Sequence, residues 1–67
     1  MINYKPLLGF IAYHNISLKE LSEKSGVPYS TLQRLKKHKE ISWSSLGKIC
    51  ECLGLNIKDV MRYDENI

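Results

Sequence analysis

A chain of 67 residues makes one small domain, 1–67, too short to bury a core and also enclose a deep enzymatic cleft. Its 43% hydrophobic and 25% charged residues form an ordinary globular balance that excludes a disordered or fibrous chain. The net charge of +3 is local: residues 28–48 hold Arg34, Lys36, Lys37, Lys39 and Lys48 against Glu40 alone, so this stretch is +4 and the remainder −1.

Glycine and proline divide the chain, and apolar residues between them recur at helical spacing. The first helix is expected from Lys5 or Pro6 to about His14, with Leu7, Phe10, Ile11 and His14 on one face. Leu8, Ala12 and Tyr13 fall off that face and leave apolar surface suited to a partner. Ser17 caps the second helix, and Glu20 three residues on completes a reciprocal capping box. Leu18, Leu21, Ser22 and Ser25 face inward there, while Lys19, Glu20, Glu23 and Lys24 face water. Gly26 ends this helix at positive φ and Val27 anchors the turn. The third helix, from Pro28 or Tyr29 to Lys37, buries Leu32 and Leu35 and turns Ser30, Gln33, Arg34 and Lys37 outward. Ser42 caps a fourth helix to about Leu53, with Trp43, Leu46, Ile49, Cys50 and Leu53 inside and Gly54 closing it. Asn56 caps a short fifth helix that turns Ile57, Val60 and Met61 inward, and Asp64 to Ile67 fray.

Two short helices joined by a glycine-containing turn, the second with a polar, basic outer face, form the arrangement that fits a DNA major groove. The segment SLKELSEKSGVPYSTLQRLKK resembles the helix-turn-helix of the lambda-repressor-like family of bacterial and phage regulators. Leu21, Gly26, Val27, Leu32 and Leu35 stand at that family's hydrophobic and turn positions. YKPLLGFIAYHNIS is similar to its first helix and ISWSSLGKICECLGLNIKDV to its fourth and fifth, so the resemblance covers nearly the whole chain. It implies an all-α, five-helix DNA-binding domain with a central helix-turn-helix. Three positions depart from the family pattern. Ser22 replaces an inward alanine and needs a hydrogen bond, for which a preceding backbone carbonyl is the expected acceptor. Leu18 replaces a glutamine that contacts phosphate, and Pro28 replaces a serine or threonine.

The resemblance implies double-stranded DNA as the partner and a homodimer as the binding form, because one recognition helix alone reads little sequence. Gln33 suits the N6 and N7 edge of adenine and Arg34 the O6 and N7 edge of guanine. Tyr29 and Ser30 are expected to meet a thymine methyl or another base edge. Phosphate contacts are expected from Ser17, Thr31, Lys36, Lys37, Lys39, Ser42 and Ser44, including first-turn N–H groups of the second and fourth helices. The dimer surface is expected on Leu8 and Tyr13, or on Met61 and Tyr63.

Other candidate chemistry has a plainer reading. Trp43 shares a helical face with Leu46 and Cys50, which favours a core residue over a base-stacking one. His14 reads as a partly buried side chain, and His38 as part of the basic loop. Cys50 and Cys52 are too close for a relaxed disulfide, which points to a reducing, cytoplasmic setting. Two sulfurs and two distant histidines do not make a metal site, and Ser42, Ser44 and Ser45 lack the glycine-flanked elbow of a nucleophile. No catalysis, cofactor or small-molecule ligand is expected, and no apolar run approaches the roughly 20 residues of a membrane span. The leading reading is a transcriptional repressor. The DNA-binding antitoxin of a toxin–antitoxin pair, or an anti-repressor-like protein-interaction module on the same fold, are its alternatives.

Overall fold

The computed structural model describes residues 2–60, 62 and 63. Among them are five helices: α1 (Lys5–Tyr13), α2 (Leu18–Ser25), α3 (Tyr29–Lys36), α4 (Trp43–Leu53) and α5 (Ile57–Val60). Two-residue strands β1 (Ile2–Asn3) and β2 (Arg62–Tyr63) pair antiparallel, with Ile2 opposite Tyr63 and Asn3 opposite Arg62. The expected all-α architecture is present, with this short ribbon added where no alternating pattern announced it. Met61 and Asp64 to Ile67, for which inward packing and fraying were expected, lie outside the described residues. No helix among the described residues is long and apolar enough to cross a membrane.

The starts of α2 and α4 and the ends of the first four helices have local causes. Ser17 Oγ accepts from the Glu20 N–H at 3.0 Å, and Ser42 Oγ from the Ser45 N–H at 3.1 Å, so both caps satisfy a first-turn donor. The reciprocal half of the expected capping box is replaced: the Glu20 carboxylate lies 3.7 Å from Lys24 Nζ in an i,i+4 ion pair. Gly26 (φ +80°) and Gly54 (φ +70°) close α2 and α4 in the left-handed conformation. The same closure falls on non-glycine residues after α1 and α3, at Asn15 (φ +53°) and His38 (φ +61°). There the Ile16 N–H reaches Ile11 O at 3.0 Å and the Lys39 N–H reaches Arg34 O at 2.9 Å, the six-to-one bond of a Schellman turn.

The core gathers Leu7 and Ile11 of α1, Leu21 of α2, Val27 of the turn, Leu32 and Leu35 of α3, Leu46, Ile49 and Cys50 of α4 and Val60 of α5. No polar or charged side chain is buried among the described residues. α2 packs against both α3 and α4, and α1 packs on α5. Burial pushes the Cys50 thiol above its usual value, leaving it a small protonated hydrophobe.

Two expectations about the core are corrected. Trp43 is 59% exposed. It is the first residue of α4 and sits about 60° around the helix from Leu46, on the rim of the stripe, where the packed neighbours have run out. Tyr4, for which the sequence offered no core signal, is 1% exposed and accepts the Ile41 N–H on its hydroxyl at 3.2 Å. His14 is exposed, because the turn at Asn15 brings Ile16 back over the end of α1 and leaves the imidazole outside. Its ring lies 4.3 Å from that of Phe10 and edge-on to Tyr13 at 4.9 Å.

Replacing Leu32, fully buried at the centre of this packing, by alanine is expected to lower unfolding stability by about 2–5 kcal/mol. Tyr4→Phe, which strands the Ile41 N–H, is expected to cost about 1 kcal/mol. Urea titrations check both values, since the midpoint shifts while the slope stays constant.

Candidate nucleic-acid interface

α3 is placed by the corner that precedes it. Gly26 reverses the chain, Val27 inserts at 1% exposure, and its N–H donates to Ser25 Oγ at 3.2 Å. Ser22 Oγ donates to Val27 O at 2.6 Å. The acceptor is therefore the carbonyl ahead of Ser22, across the turn, and not a preceding one as expected. A hydroxyl in place of a methyl thus ties α2 directly to the start of α3.

With Leu32 and Leu35 fully buried, a helix of about 100° per residue must turn Ser30, Gln33, Arg34 and Lys37 the other way. All four are exposed. Tyr29 opens the helix at 47% exposure, Lys36 is exposed on the flank, and Thr31 is half-buried on the other flank. Tyr29, Gln33, Lys36 and Lys37 line one notch together with Leu18, the first residue of α2. Ser17 and Lys36 share the rim of the adjoining groove, so two expected phosphate contacts stand together.

Arg34 is both exposed and oriented. Its terminal nitrogen donates to the Glu40 carbonyl at 3.0 Å, which uses one of its five guanidinium donors. The loop that carries Lys39 is thereby held to the last turn of α3 from both main chain and side chain. Among the described residues no carboxylate lies within ion-pair distance of Arg34, Lys36, Lys37 or Lys39, so their charge is available to an external anion. Ser42 stands beyond this loop as the cap of α4. Its hydroxyl is occupied by Ser45, through the amide and through Oγ at 3.0 Å. The N–H groups of Trp43 and Ser44 have no intrahelical acceptor and form the anion-facing end of α4.

The expected residues thus fall into two linked groups: Ser17, Tyr29, Gln33, Lys36 and Lys37 around the start of α2, and Arg34, Lys39, Ser42 and Ser44 around the α3–α4 loop. Ser30 is exposed on the first turn of α3, and Thr31 is half-buried. The sequence placed Leu18 on the inward face of α2 and counted it as a lost phosphate contact, but did not place it beside α3. Its position beside Gln33 was signalled by its place directly after a cap whose helix faces α3.

A family model of the Cro/C1-type HTH DNA-binding domain matches residues 7–66. This chain belongs to that family. No curated protein and no solved structure matched the chain. In a Cro/C1-type domain α2 and α3 are the helix-turn-helix, and the protein is a double-stranded DNA binder of transcription regulation, from a family that is not enzymatic.

Trp43, the chain's one tryptophan, offers a direct check on this placement. Its emission is expected to be that of a hydrated indole and to be quenched by acrylamide almost as readily as a free tryptophan derivative. A blue-shifted, protected indole would return Trp43 to the core.

Proposed function

We propose that this Cro/C1-type domain is a sequence-specific repressor that binds a two-fold symmetric operator as a homodimer, with α3 lying in the major groove. The observation that carries this reading is the open face of α3. Ser30, Gln33, Arg34 and Lys37 project from the side opposite the core, within a stretch of net charge +4, and no other element among the described residues covers them.

Gln33 offers a donor and an acceptor to adenine, and Arg34 presents its remaining donors to guanine. Each such bidentate pair is worth about 1–3 kcal/mol of discrimination. The Glu40 carbonyl supports the arginine role, because a guanidinium already held in one orientation loses less freedom on binding. Tyr29 and Ser30 complete the base-reading set. Thr31, Lys36, Lys37 and Lys39, with the α2 and α4 ends at Ser17, Ser42 and Ser44, hold the strands and set register.

One recognition helix covers too little sequence for useful selectivity, so two half-sites about 34–36 Å apart are read by two chains. For their contact α1 offers Tyr13, 82% exposed, and the half-buried Leu8. Both cysteines are free, which suits the reducing cytoplasm as the place of action.

Selection of bound duplexes from a random pool is expected to return a palindromic site that recruits two chains. On that site Arg34→Ala is expected to weaken binding by about 1–3 kcal/mol and to erase the preference at one base pair. Lys37→Ala is expected to weaken every duplex alike and to lower the salt slope by about 1. Undiminished affinity in Arg34→Ala would remove it from the base-reading set.

A further inference from the structure

The notch between the start of α2 and the ridge of α3 has a chemistry that the polar face around it does not share. Leu18 forms one wall, half-buried and packed on the edge of the core. The half-exposed ring of Tyr29 forms another. Gln33 stands one helical turn beyond Tyr29, at the i,i+4 spacing that stacks side chains along a helix, and Lys36 and Lys37 close the far end. No carboxylate lines it. The result is an apolar recess next to an amide and flanked by two cations, on the side of the molecule assigned to DNA.

A major-groove edge is polar nearly everywhere, and the thymine C5 methyl is its one apolar group. An amino group of cytosine or adenine placed against Leu18 would lose its water and gain no acceptor, which carries a penalty. A methyl group loses nothing there and removes apolar surface from water. The two lysines at its far end carry the charge that flanking phosphates would meet. We propose that Leu18 and Tyr29 together form a specificity-determining recess for a thymine methyl, beside the base pair whose adenine is bound by Gln33. This rests on the base-reading face proposed above and adds to it a residue of α2.

The test uses the whole chain and its selected duplex, with each thymine replaced in turn by deoxyuridine, which lacks only the methyl. At one thymine in each half-site the replacement is expected to weaken binding about three- to fivefold, the worth of one buried methyl. In Tyr29→Ala, at an exposed position, and in Leu18→Ala, that thymine-to-uracil ratio is expected to fall close to one. The ratio is taken within each variant, so a partly unfolded preparation does not alter it. Selective binding that ignores every uracil, or a ratio that persists in both variants, overturns the recess and leaves the base-reading face standing. Equal binding of selected and scrambled duplexes overturns both.

Discussion

The corner between α2 and α3 is the constraint from which the rest of this molecule follows. Gly26 holds a backbone conformation that other residues adopt only at a cost, Val27 is driven into the core, and the Ser22 hydroxyl closes the turn on the Val27 carbonyl. Once that corner is set, Leu32 and Leu35 can reach the hydrophobic centre only if the opposite side of α3 faces water. The polar ridge is thus a geometric by-product of core packing, and its rigidity comes from the same residues that stabilise the fold. The base reading proposed for that ridge needs this, because bidentate hydrogen bonds tolerate little play.

Much of this arrangement was legible in the residues themselves. Ser17, Ser42, Gly26 and Gly54 act locally, through side-chain oxygens or a missing Cβ, and their effect depends little on the rest of the chain. The spacing of Leu21, Leu32, Leu35, Leu46 and Ile49 likewise marked the buried faces. What escaped depends on distance or on ends. Tyr4 is buried because it meets Ile41, far along the chain, and no local pattern encodes that. Trp43 and His14 carry the right phase for the core but stand at the first and last turns, where phase alone overstates burial. The ribbon of β1 and β2 is too short to display a period of two. For the interface, the outward turn of Gln33 and Arg34 followed from phase. The tether from Arg34 to Glu40 and the placing of Leu18 beside Tyr29 depend on tertiary packing.

Charge in this molecule is organised by exclusion. No ionised group is buried among the described residues, and the Lys24–Glu20 pair on α2 is solvent-exposed, so electrostatics contribute little to folding. Among the described residues the cations around α3 lack such partners. They repel one another in the free protein, and a phosphate backbone relieves that repulsion while releasing its own counterions. The same local excess of charge that does little for stability therefore favours association with a polyanion.

The acceptor that holds Arg34 is a main-chain carbonyl. Exchanging the side chain at position 40 leaves it in place, so the guanidinium keeps its aim whatever residue stands there. Chain length between α3 and α4 is another matter, since inserting or deleting one residue would swing that carbonyl away and loosen the arginine. Variation among domains that keep this tether would thus be free in composition at this site and restricted in spacing.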